Sequence, residues 1–259
     1  MKVSKMSIDQ NIRKVIQDLE RERNIHVLFA CESGSRAWGF ASPNSDYDLR
    51  FIYAREQSWY LELQEKRDVI DLMLPNDLDL VGWDLAKTLR LFASCNLALN
   101  EWLDSPVIYW QQAKFRQDLL KLVPGFFKPR KAIHHYLSMA KGMSKDNFDG
   151  NQIKIKKLFY ILRPLFACYW IKENGSMPPT LFQIMIDQRL AESDILSVIG
   201  EVQKQKEVAL EDDVIEVPEI IKTWIDKSIA HFEETESRFS PGNKSNWDEL
   251  NRMMLEWSV

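Results

Sequence analysis

Val27-Leu28-Phe29-Ala30-Cys31-Glu32-Ser33-Gly34-Ser35-Arg36-Ala37-Trp38-Gly39-Phe40, followed after Ser42-Pro43-Asn44-Ser45 by Asp46-Tyr47-Asp48-Leu49-Arg50-Phe51-Ile52-Tyr53, is the stretch on which the fold turns. Val27 to Ala30 is a short apolar run that stops at Ser33-Gly34, the pattern of a buried strand ending in a turn. That turn opens a short helix. Gly34 carries no Cβ to keep a ligand away from the backbone, and the first N–H groups of the helix, with the Ser35 hydroxyl, are expected to face outward as donors. Phosphate oxygens suit such a cradle.

Pro43-Asn44-Ser45 marks a turn, and Tyr47 to Tyr53 is rich in the aromatic and β-branched residues of a second strand. Residues two apart on a strand project to one face, so Asp46 and Asp48 are expected to point the same way, with Tyr47 on the other. Like charges at that spacing repel, and a divalent cation relieves the repulsion. Magnesium prefers hard carboxylate oxygens, one or two of them together with substrate phosphates. A third carboxylate would complete such a site, and Asp71, Asp77, Asp79 and Asp84 are the candidates. Asp84, after Gly82, is explained by capping a helix, and Asp77 by local hydrogen bonding in the turn Pro75-Asn76-Asp77. Asp79 alternates with Leu78 and Leu80 as a strand residue should, and is preferred over Asp71.

The combination of Gly34-Ser35 with Asp46-Tyr47-Asp48 resembles the DNA polymerase beta superfamily of nucleotidyltransferases. The longer strings Glu32-Ser33-Gly34-Ser35-Arg36-Ala37-Trp38-Gly39-Phe40 and Ser45-Asp46-Tyr47-Asp48-Leu49-Arg50-Phe51-Ile52-Tyr53 are similar to one branch of it, the predicted nucleotidyltransferases associated with bacterial RNA repair pathways. Gly82-Trp83-Asp84-Leu85, Asn100-Glu101-Trp102-Leu103-Asp104-Ser105-Pro106 and Lys156-Lys157-Leu158-Phe159-Tyr160-Ile161-Leu162-Arg163-Pro164 add to the likeness, which covers roughly the first 185 residues. The resemblance implies attack of a hydroxyl on the α-phosphate of a nucleoside triphosphate, ATP or CTP, with Mg2+ or Mn2+ held by Asp46, Asp48 and Asp79. It also points to the Leu78-to-Leu85 stretch for the third carboxylate, and to an RNA end as one acceptor. A small molecule or a protein side chain is an alternative acceptor, and a catalytically silent nucleotide-binding module an alternative class.

The 259 residues suffice for one large domain or two modest ones. No apolar run approaches the ~20 residues that span a bilayer, and Met1-Lys2-Val3-Ser4-Lys5 leads into an amphipathic helix rather than a signal peptide. No membrane partner is expected. Cys31, Cys95 and Cys168 are odd in number, far apart and set among apolar residues, as expected of buried thiols in a reducing cytoplasm with no disulfide-linked partner. The four histidines form no ligand cluster with them, so no zinc site is expected.

Periodicity predicts a helix from Ser7 or Asp9 to about Glu22, strands at Val27 to Ala30, Tyr47 to Tyr53, Val69 to Leu74 and Leu78 to Val81, and helical patterning from Trp83. After Pro124-Gly125 only helices are expected, near 129–147, 151–172, 179–189, 192–209 and 218–238. The fold class is therefore α+β. A small mixed-sheet domain over 1–112, the nucleotidyltransferase domain that the resemblance implies, is expected to precede an all-helical substrate-binding domain over 113–240, with 241–259 as a tail or docking helix.

Net charge is −4, unevenly spread. Residues 121–172 hold eleven Lys or Arg against Asp146 and Asp149, a net of +9. With His134, His135, Tyr136, Phe148, Phe159 and Tyr160 interleaved, the segment suits a polyanion whose bases can stack. Lys156, Tyr160 and Arg163 share one helix face at i, i+4 and i+7, where they are candidates for holding a triphosphate and base. A basic outer face with an exposed tyrosine is the simpler alternative. Arg36 and Arg50 are candidates for phosphate, or for pairing with the nearby acids. Trp38 and Phe40 are expected to pack the short helix on the sheet.

Overall fold

The computed structural model describes residues 8–42, 44–75, 78–189, 193–210 and 213–259. Ser7, Pro43, Asn76 and Asp77, to which sequence roles fell, lie outside the described residues, as does the Met1-to-Lys5 lead. In chain order the elements are α1 (Ile8–Arg23), β1 (His26–Glu32), α2 (Gly34–Trp38), β2 (Tyr47–Ala54), α3 (Gln57–Leu61), β3 (Val69–Leu74), β4 (Leu78–Asp84), α4 (Leu85–Ala93), α5 (Leu97–Leu103), β5 (Ile108–Gln111) and α6 (Ala113–Phe126). There follow α7 (Pro129–Asn147), β6 (Gln152–Lys154), α8 (Ile155–Asn174), α9 (Phe182–Asp187), α10 (Ser193–Val208), β7 (Val214–Glu216), α11 (Glu219–Thr235) and α12 (Trp247–Trp257).

The chain forms two compact units. The first comprises the described residues of 1–34, 46–123 and 245–259, and the second those of 35–45 and 124–244. The first unit is built on a five-stranded mixed sheet in the order β3-β4-β2-β1-β5, in which β2 and β4 run parallel and the other neighbours antiparallel. One face of the sheet buries Ala30, Leu49, Phe51, Tyr53, Leu78 and Leu80 against Ile12, Ile16 and Leu19 of α1, whose apolar residues recur at helical spacing. Gly82 is required by this packing. A Cβ there would lie 2.1 Å from the Phe51 ring, so only glycine lets the ring cross β4. On the other face Trp83 stacks on Trp102 of α5 with centroids 3.9 Å apart. Asp84 caps α4, accepting from the Ala86 N–H at 2.8 Å, as its place after Gly82 predicts. The C-terminal residues form a helix, α12, packed on α4 in the same unit.

In the second unit α7 and α8 lie side by side, and α8 is buried along most of its length. An aromatic core joins Phe40, Phe159, Phe166, Phe182 and Trp224. The expectation that nothing strand-like follows Pro124 is corrected. Gln152–Lys154 and Val214–Glu216 pair antiparallel as a two-stranded ribbon. Three residues are too few for alternation to register against helical neighbours.

Candidate functional site

In the first unit, the parallel ladder between β2 and β4 sets Asp48 directly beside Asp79. Neighbouring strands run roughly 4.8 Å apart, so the two carboxylates are next to one another on the same sheet face. Asp71 pairs with Val81, one rung pair away on the edge strand, and is exposed. The structure thus brings Asp79 rather than Asp71 to Asp48. Asp46 differs from expectation. The ladder begins at Tyr47, so strand alternation does not reach Asp46, which is exposed just ahead of β2.

Between the two carboxylates sits Arg50. Its Nη2 donates to Asp48 Oδ1 at 2.9 Å and to Asp79 Oδ2 at 2.7 Å, while Nη1 donates to the carbonyls of Leu49 and Asp79 at 3.2 and 3.1 Å. Of the two roles open to Arg50 in the sequence, pairing with the acids is the one the structure has. The three side chains are 16 %, 27 % and 28 % exposed for Arg50, Asp48 and Asp79, so the cluster opens to solvent at one side.

Gly34 adopts φ +61°, and a Cβ on it would meet Asp48 Oδ2 at 2.0 Å. The group that occupies the space a side chain would need is therefore Asp48 itself. Glu32, buried at the end of β1, has a role that the sequence does not assign. Its Oε1 accepts from the Asp48 N–H at 2.8 Å, and its Oε2 from the Tyr109 hydroxyl. Ser33 N–H donates to the Asp48 carbonyl at 2.9 Å. Asp48 is held on both backbone sides. A carboxylate closing an otherwise apolar strand is the signal that points to Glu32.

The donor chemistry of Asp48 and Asp79 fits a hard divalent cation, since both ligands are carboxylates. Among the described residues, however, no group of three His, Cys, Asp or Glu is gathered closely enough to hold a metal ion. At the far end of the same two strands, Asp84 pairs across the ladder with Tyr53 and accepts from the Tyr60 hydroxyl at 2.9 Å. Burial raises the pKa of Asp84 above the usual carboxylate range. Burial, with the Asp84 charge adding to it, also raises that of Tyr53 to about 12. A cleft of about 450 Å³ opens there, lined by Trp59, Tyr60, Lys66, Asp68, Asp84 and Arg90.

The rest of the motif belongs to the second unit. Ser35 is 6 % exposed, so its side chain is enclosed rather than presented to solvent as expected. Arg36 Nη2 donates to the Ser45 carbonyl at 2.6 Å, closing the loop that follows α2. Trp38 and Phe40 have ring partners among the helices of this unit. Trp38 meets the edge of Tyr160 at 5.5 Å, and the Arg163 guanidinium lies 4.4 Å over its ring. Arg163 is 3 % exposed, so α8 does not carry it on an open basic face. Lys156 and Tyr160 are half-buried, and Lys157 lies 5.7 Å over the Tyr160 ring. Lys206 of α10, buried, donates to the Phe40 carbonyl at 2.6 Å and to Ser42 Oγ at 3.1 Å, pinning the segment after the motif into this unit.

A strand that ends at Glu32 just ahead of Gly34, followed by a strand whose Asp48 stands beside a second carboxylate, is in keeping with a nucleotidyltransferase-like chain. The protein belongs to the RNA repair pathway DNA polymerase beta family, whose family model matches residues 8–256, beyond the roughly 185 residues over which the sequence resemblance runs. It is 37 % identical over 246 residues, 95 % of each chain, to "Uncharacterized protein YcgL" of Bacillus subtilis (strain 168). A nucleotidyltransferase-like protein of Exiguobacterium sibiricum 255-15, of known structure, is 13 % identical, with 90 % of this chain and 75 % of that one covered and a TM-score of 0.33.

Proposed function

We propose that this protein transfers a nucleoside monophosphate from a nucleoside triphosphate, ATP or CTP, to a hydroxyl acceptor, and that family membership makes an RNA end the first acceptor to test. The observation that carries the reading is the side-by-side placement of Asp48 and Asp79 across β2 and β4, on the strand that follows Gly34 in a chain of this family. Asp48 and Asp79 hold Mg2+, for which Mn2+ substitutes, and Asp46 adds a carboxylate from the residue ahead of β2. Bound there, one such ion would lower the pKa of the attacking hydroxyl and a second would neutralise the departing pyrophosphate. Gly34 keeps room for the Asp48 carboxylate, and Glu32 fixes its backbone. Ser35, Arg36, Lys156 and Tyr160 are assigned to the nucleotide, whereas Arg163, buried over the Trp38 ring, is assigned to packing. Three free, buried thiols support a reducing, cytoplasmic setting. Among the described residues no helix is long and apolar enough to cross a membrane.

A second reading, nucleotide binding without transfer, is favoured by one observation. Arg50 already neutralises part of the charge that a metal would meet. Incubation with α-labelled ATP or CTP, magnesium and RNA, protein and small-molecule fractions separates the two. Label entering RNA is the expected result. Label entering another fraction reassigns the acceptor, and binding with no incorporation selects the silent module.

A further inference from the structure

We propose that Arg50 is a positioning residue that stands in for metal charge, making the Asp48–Asp79 pair a poor site for a bare divalent cation and a good one for a cation arriving with triphosphate. The inference rests on the function proposed above.

Two carboxylates adjacent across a parallel ladder repel, and without a counter-charge one of them would take up a proton or a cation. Arg50 supplies the counter-charge from within the fold. A guanidinium cannot be deprotonated in a protein, so the compensation is permanent. It is also anchored. Nη1 is spent on the Leu49 and Asp79 carbonyls, so the group stays in place whatever the carboxylates do, and Nη2 joins one oxygen of each acid. Asp48 Oδ2 and Asp79 Oδ1 are the oxygens that Arg50 leaves to other partners, the former lying against Gly34.

The electrostatic consequence is direct. Asp48, Asp79 and Arg50 together carry one negative charge instead of two, and the partly sheltered setting of all three weakens solvent screening. A bare divalent ion therefore meets half the charge and a guanidinium within a few ångströms. An ion bound to triphosphate brings phosphate oxygens that the same guanidinium attracts. Arg50 is thus expected to penalise the first and favour the second.

The test is Mn2+ binding, read by the paramagnetic signal of the free ion, with and without a non-hydrolysable ATP analogue, for the parent, Arg50→Met, Arg50→Lys and Asp48→Asn. Arg50→Met should bind Mn2+ alone about 10-fold more tightly than the parent, because one nearby positive charge is removed. With the analogue present that advantage should vanish or reverse, and Arg50→Lys should stay near the parent. If Arg50→Met is too unstable to titrate, the rise in melting temperature on adding Mn2+ is compared instead. A larger rise than in the parent supports the inference, and an equal or smaller one overturns it. A parent that binds Mn2+ no better than Asp48→Asn even with the analogue present removes the metal reading itself. A parent that does bind it, with Arg50→Met no tighter, removes only the role of Arg50.

Discussion

Gly34 carries more of the site than its place in a phosphate cradle implies. Its φ of +61° already disfavours any side chain, and the Asp48 carboxylate fills the space where a Cβ would go. Gly34→Ala is therefore expected to push Asp48 off Arg50 and lower the melting temperature, with transfer falling about as far as in Asp48→Asn. Asp48→Asn and Asp79→Asn should each cut transfer at least ~100-fold, the scale of losing charge stabilisation in a metal site, while remaining folded. Ser35→Ala should be milder. Turnover and thermal unfolding measured on the same four variants decide the matter. Near-parental turnover in both Asn variants would remove the metal assignment, and an unchanged melting temperature in Gly34→Ala would remove the steric argument.

At the level of elements, β2 and β4 also end on a titratable pair, Tyr53 beside Asp84. Tyr53 is fully buried, its hydroxyl makes no hydrogen bond of good geometry among the described residues, and the neighbouring Arg55 side chain opposes part of the effect of burial on it. Its pKa, raised from 10.0 to about 12 by burial and then by the Asp84 charge, means that the folded state keeps a proton the unfolded chain gives up. The stability this represents is whole below pH 10 and is lost as pH rises through about 12. Tyr53→Phe should be neutral or slightly stabilising at pH 7, since it removes an unsatisfied buried group. Its advantage over the parent should grow only above pH 10, as read by chemical unfolding across a pH series. An advantage that is flat through pH 12 would contradict the shift. Alternation makes Asp79 legible because its apolar neighbours Leu78 and Leu80 flank it on a strand long enough to show a period of two. β5, β6 and β7 have only three or four residues each, so the same signal has no length in which to appear. Arg163 escapes the pattern for a different reason. Helical spacing puts it on a face with Lys156 and Tyr160, but spacing does not say that Trp38, over a hundred residues earlier in the chain, covers that face. For Arg50 the sequence narrows the role to two without deciding between them, because the partner Asp79 comes from register between β2 and β4.

Across the whole molecule, the positive segment at 121–172 is less available than its count suggests. Lys141 pairs with Glu233 and His134 with Glu236, Arg130 donates to the carbonyls of Ser237 and Phe239, and Lys172 contacts His231. Acidic residues of α11 and the turn after it thus neutralise part of α7 within the same unit. Lys145, at the end of α7, and Lys154, just before α8, are exposed, and half-buried Lys156 is close by in sequence. If the segment binds RNA, changing these three to Gln should weaken binding and flatten the plot of log affinity against log salt by roughly one unit for each phosphate no longer neutralised. Lys141→Gln should leave that slope unchanged, because its charge is already matched by Glu233. Arg163→Gln separates a packing role from a phosphate role. Buried over Trp38, it should lower the melting temperature while leaving the slope near the parent's, whereas direct pairing with phosphate would change the slope. RNA titrations over a salt series on these variants, paired with melting curves, read both quantities. A triple variant with the parental slope would mean that the charge of this segment serves only the packing of α7 and α11, and that any RNA meets the protein elsewhere.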